Sequence, residues 1–186
     1  FFLIATFFSI AVFEAAAGVL LGSVLKLDPA TVSWLFVLPL PGYLLGAWLS
    51  ATLSARIGQR HLFNIGMATL IIGALIIFTP GMAGLVTVVS LIGGGFVSFI
   101  GAGIIFPAAT TAAIQPFPHH AGTAGAILGG MQNLGAGLAT LAASLMGAKD
   151  QFNLGSVMLV TAVLVVISLF WVRRRFANDA AMTPSL

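Results

Sequence analysis

The sequence predicts an all-α integral membrane protein with six transmembrane helices, and three observations carry that prediction. Of 186 residues, 60% are hydrophobic and only 6% are charged. A soluble domain devotes about 25% of its residues to charged side chains, because its surface must face water. The apolar residues also fall into six runs near the ~20 residues a membrane helix needs. Finally, the loops between the runs alternate in Lys and Arg content, as loops on opposite sides of a membrane do.

The runs are separated by polar, Pro or Gly punctuation. The first covers about residues 1–25 and ends at KLDP. The second, 32–53, ends at SARIGQRH, and the third, 62–78, ends at TPGMAG. The fourth, 85–114, stops at QPFPHH, and the fifth, 121–146, stops at AKDQFN. The sixth, 154–172, meets RRRF, so the bundle is expected over 1–175 with a disordered tail at 176–186. The chain opens on FFLIATFF rather than methionine, which reads as a cut inside a longer protein.

Arg56, Arg60, Arg173, Arg174 and Arg175 share one side with His61, His119 and His120. Lys26 and Lys149 lie on the other, each near an aspartate, Asp28 or Asp150. The positive-inside rule makes the arginine side cytoplasmic and puts both ends of the segment there. The basic balance is therefore a matter of topology and is no argument for nucleic-acid binding. Loops this short leave no room for a soluble catalytic domain, and function is expected inside the bundle. The sixth span, rich in Val, Leu and Ile, suits the periphery. The glycine-rich first, fourth and fifth suit close packing around a centre.

Glu14 is the acid within a span, twelve residues or ~18 Å before Lys26. An ionisable group at that depth is expensive and marks a functional site by default. It could load and release a proton or receive a cation. The bland reading is a carboxyl held neutral by hydrogen bonds to a neighbouring helix. Ile4, Phe7, Ala11 and Gly18 share its helix face, and Phe36, Leu40 and Tyr43 form a similar stripe on the second span. Such faces suit a cavity for greasy molecules, although packing explains each residue singly.

Gln132 and Asn133 lie about twelve residues beyond His120 and are expected level with Glu14, sharing its cavity or bonding across a helix interface. Around them Ala121, Gly125, Gly129, Asn133 and Gly137 recur every four residues, a smooth ridge for helix packing or sliding. Pro107 in the fourth span cannot donate to the carbonyl of Gly103 and is expected to kink it. His119 and His120, with no cysteine in the chain, read as a solvated loop rather than a metal site, and no cofactor is expected.

FEAAAGVLLGSVL, VSWLFVLPLP followed by GAWLS, and GAGIIFPAATTAAIQPFPHHAGTAGAILGGMQNLGAG resemble the drug:proton antiporters of the major facilitator superfamily. The resemblance covers nearly the whole chain. It implies the second half of that fold, helices 7–12 of twelve, in a bacterial inner membrane beside a missing N-terminal six-helix half. It also implies efflux of small hydrophobic or amphipathic substrates in exchange for protons, with Glu14 as the coupling group. The superfamily's loop signature G-x-x-x-D-R-x-G-R-R echoes in LSARIGQRHL, where Ala55 replaces the aspartate. That departure weakens any reading of this loop as a charged gate. A carrier for a physiological solute such as a sugar or metabolite is the nearest alternative. An intramembrane protease is distant, because its histidine would have to lie at bilayer depth.

Overall fold

The computed structural model describes residues 2–145 and 150–182. Six α-helices follow in order: α1 (Phe2–Val19), α2 (Pro29–Val37), α3 (Leu40–Met82), α4 (Val88–Ile114), α5 (Ala121–Leu145) and α6 (Gln151–Met182). A π-helical turn, Leu20–Val24, extends α1, and a single 3₁₀ turn, Pro118–His120, precedes α5. Met146, the expected end of the fifth span, lies outside the described residues.

Local chemistry sets the ends. The carboxylate of Asp28 accepts from the Thr31 amide at 2.9 Å and the Thr31 hydroxyl at 2.7 Å, capping α2 with Pro29 at its first position. Asp150 Oδ1 accepts from the Asn153 amide at 2.7 Å at the start of α6. The two loop aspartates are thus helix caps, whose oxygens satisfy amides that have no partner within the helix. At the other end of α3, Gly84 takes φ 69°. Its amide reaches Gly81 O and the Leu85 amide reaches Pro80 O, the paired bonds of a Schellman stop.

Helix α3 is two helices joined at Gly58, whose φ of 75° and ψ of 153° are open essentially to glycine alone. Helix α4 serves as a ruler for the two arms. On the arm before Gly58, Gly42 lies against Phe96 and Gly46 against Ile100. On the arm after it, Gly66 lies against Gly101 and Ile105, whereas Gly73 lies against Gly94 and Ser98. Contacts rise along α4 for the first arm and fall for the second. The chain therefore doubles back at Gly58, with both arms alongside α4.

These approaches are backbone to backbone. A Cβ on Gly46 would collide with the carbonyl of Ile100, and one on Gly103 with that of Tyr43. Small residues are what allow helices to approach so closely. Aromatic contacts fix the register of α1 on α4: Phe7 and Phe106 ring centres are 5.8 Å apart, and Phe13 meets Phe99 edge-on at 6.0 Å. Helix α6 buries Leu154, Met158, Ala162 and Val165 and exposes Val160, Val163, Leu164 and Ile167. That one-sided burial is the pattern of a peripheral helix.

Four stretches among the described residues are long and apolar enough to cross a membrane: Leu3–Val24, Pro29–Met82, Val88–Ile114 and Gln151–Ser168. The second contains both arms of α3, which accounts for its 54 residues. Helix α5 falls outside this set, because its glycines and amide pair lower its hydropathy. Helix α6 runs beyond the sixth apolar run to Met182, since Arg and Ala favour helix; the last residues of the expected tail, 183–186, lie outside the described residues. Helix α4 continues through Pro107 without interruption, with Thr111 Oγ1 bonded to the Pro107 carbonyl at 2.9 Å.

Candidate functional site

Glu14 stands on the outer face of α1 and is exposed, although half of that helix is buried against the rest of the chain. Its neighbours Val12, Phe13, Ala16 and Ala17 point inward and are almost fully buried. Helical periodicity thus directs the hydrophobic stripe of α1 into the bundle and its carboxyl away from it. No salt bridge partners Glu14 among the described residues, and the side chain is presented to whatever lies beside this face.

The apolar candidates separate. Ile4 packs on α5 at Gly135, Phe7 on Phe106, and Phe36 across Gly18, so each also serves helix packing. Tyr43 is half-buried on the first arm of α3, with its carbonyl beneath Gly103. Leu40 is 50% exposed.

The amides do not share a level with Glu14. Ile4 meets Gly135, so Gln132 and Asn133 lie beside the very start of α1. Glu14 is ten residues further along, ~15 Å at the helical rise. Counting each helix from its own loop missed the offset between them. Asn133 is exposed, and its Nδ2 donates to the Gly129 carbonyl at 2.9 Å, one turn back on its own helix. Gln132 is half-buried.

The ridge of α5 meets almost nothing within this chain. A Cβ at Gly129 or Gly137 would meet nothing within 4 Å, and at Gly125 only Ile114 at 3.9 Å. The residues of α5 that pack inside this chain are Gly135, Ala139 and Ala143. They also follow the four-residue spacing, but on another face. Spacing identified a small-residue stripe without revealing which of two such stripes meets a neighbour.

One group escaped the sequence reading. Gln151 is fully buried; its Nε2 donates to the Ile77 carbonyl at 2.8 Å and to Ser90 Oγ at 2.6 Å, and its Oε1 accepts from the Thr87 amide at 3.0 Å. It joins the ends of α3, α4 and α6. A glutamine beside a loop, in AKDQFN, looks solvated in sequence. Two hydroxyls on α4, Ser98 Oγ and Thr110 Oγ1, are buried without hydrogen-bond partners. A groove of about 450 Å³ opens between the arms of α3 near the Gly58 bend, lined by Ser50, Ser54, Gln59, Pro107 and Thr111 among others. Pro107 is the one sequence candidate in its wall.

Long apolar helices, backbone-to-backbone glycine contacts and a carboxyl on an outward face define a membrane-spanning α-helical protein. The chain belongs to the Major Facilitator Superfamily, whose sequence pattern matches residues 1–183, and this places it among transporters. It is similar to Multidrug resistance protein D of Escherichia coli (strain K12), with 38% identity over 158 residues. That alignment covers 85% of this chain and 40% of the relative, so the chain spans well under half of the protein it matches. No solved structure matches it.

Proposed function

We propose that this chain is one six-helix half of a proton-coupled multidrug exporter, and that Glu14 is the group through which protons or cationic substrates act. The single observation that carries the reading is Glu14 itself: an acid inside an apolar helix, turned away from every packed face of its own bundle. A carboxyl facing lipid would be costly, so an outward position calls for a polar cavity completed by other helices. The similarity to a multidrug resistance protein, of which this chain matches a part, supports the same reading.

In this reading the six crossings are α1, α2 with the first arm of α3, the second arm, α4, α5 and α6. Arg56 and Arg60 near the bend, and the arginines late in α6, put both ends on the cytoplasmic side of a bacterial inner membrane. The partner is a second six-helix half. Access alternates as the two halves rock about the site. Phe7, Phe36, Leu40 and Tyr43 would offer adaptable apolar contact to small hydrophobic or amphipathic substrates, as broad specificity requires. The open ridge Gly125, Gly129 and Gly137 would give the partner half a smooth surface to approach.

The test is efflux of a cationic dye from vesicles carrying the intact transporter under an imposed pH gradient, wild type against Glu14→Gln. The expected result is loss of gradient-driven efflux while dye binding persists. Coupled efflux at the wild-type rate in the variant would refute the assignment.

A further inference from the structure

Helix α5 is fully buried only in its second half: Gly135, Ala139 and Ala143 are buried, whereas no residue from Ala121 to Leu134 is, although Leu128 rests half-buried against the core. Where its first half passes the end of α4, a groove of about 380 Å³ stays open, lined by Ala113, Phe117, Thr123, Ala124, Ile127, Leu128 and Met131 with His120 at its mouth. Phe117, Ile127 and Met131 remain 53%, 59% and 46% exposed along it.

The dimensions say what fits. From His120 to Met131 is eleven residues, ~16 Å along the helix. One leaflet of a ~30 Å hydrocarbon core is ~15 Å deep. The groove is therefore one leaflet long, apolar along most of its length and polar at the loop end, where Thr123 and His120 stand. His119 and His120 are both exposed there, and an imidazole N–H is a donor that suits a phosphate oxygen. The positive end of the α5 dipole lies at the same point.

From this we infer that the α4–α5 groove is a lipid site: it holds an acyl chain of an anionic phospholipid whose phosphate sits at His119 and His120. The lipid fills the space that α4 and the first half of α5 leave between them and steadies α5 against the bundle. The inference goes beyond drug export and does not depend on it; only the identity of the leaflet follows from the proposed orientation.

The experiment is native mass spectrometry of the purified protein titrated separately with dioleoyl-phosphatidylglycerol and dioleoyl-phosphatidylcholine. Wild type is expected to retain one phosphatidylglycerol about tenfold more tightly, because phosphatidylcholine offsets the same phosphate with its own choline cation and weakens the charge-assisted part of the bond. His119→Ala with His120→Ala, both in an exposed turn, is expected to erase the preference while leaving chain binding. Ala124→Phe, which fills the groove, is expected to abolish retention of both lipids. Equal affinity for the two lipids in wild type would overturn the proposal, as would a preference that survives loss of both histidines. Unchanged retention in folded Ala124→Phe would mean that the groove belongs to another occupant, such as a partner helix. Should that variant fail to fold, the histidine variant decides.

Discussion

Replacing Gln151 with leucine removes three hydrogen bonds at one stroke while keeping a side chain of similar size. The bonds to Ile77 O, Ser90 Oγ and the Thr87 amide run at 2.6–3.0 Å to partners 61 to 74 residues away in sequence. Thr87 and Ser90 still have each other, since their hydroxyls are bonded and the Ser90 amide donates to Thr87 Oγ1. The Ile77 carbonyl lies inside α3 and keeps its helical N–H partner, so it loses only the net worth of a second hydrogen bond, about 0.5–1.5 kcal/mol. The Thr87 amide is part-buried and loses its acceptor. Together these give a loss of about 1–3 kcal/mol. The assay is reversible unfolding in mixed detergent micelles, read by tryptophan fluorescence, with Gln151→Glu alongside. Glutamate keeps the acceptor for the Thr87 amide but has no N–H for Ile77 O, and it should fall below wild type as well. A Gln151→Leu protein within about 0.5 kcal/mol of wild type would show that the bonds have no net value and that the reasoning is wrong.

Other outcomes follow from the same structure. Gly46→Leu should prevent α3 and α4 from closing and lower stability by more than the ~1–3 kcal/mol of ordinary overpacking, whereas Gly129→Leu should leave the melting of this bundle unchanged, both read by thermal denaturation. Gly58→Ala forces a Cβ into a glycine-only conformation and should cost about 1–3 kcal/mol in the same assay. Hydrogen bonds from the Thr31 hydroxyl and amide hold the Asp28 carboxyl below its ordinary range. Because its folded value is depressed, its stabilising contribution is complete above the unfolded value near ~3.9 and fades as pH falls through the folded one. Melting of Asp28→Asn should lack that acid-side component when compared with wild type across pH.

What was legible in the sequence followed from rules that act along one chain. Apolar runs marked a membrane-spanning helical chain, and KLDP and AKDQFN were read as span ends, where the aspartates prove to cap the helices that follow. The sequence also contained the second-span proline run, resolved here as a break between α2 and α3. Relations between helices were not legible. The ~15 Å offset between Glu14 and the amide pair depends on how Ile4 meets Gly135, and periodicity is silent on register between neighbours. The same limit hid which small-residue stripe of α5 is packed. Gln151 went unseen because burial at a helix end comes from other elements folding over it. Helix α6 continues past the charged residues that close the sixth apolar run, because charge stops a membrane span without stopping a helix.

The bend at Gly58 has a practical side for anyone who would tag or cut this protein. Helix runs up to that glycine and away from it, so the reversal has no slack chain for a protease to draw into its cleft. An inserted reporter would have to unwind a turn on each side and pull both arms off α4. The segment around Gln115 is different: it is exposed and lies between helices. Insertions, epitopes and cleavage sites belong there. A topology map built on the Gly58 bend would report the damage done by the probe, whereas one built at Gln115 would report the protein.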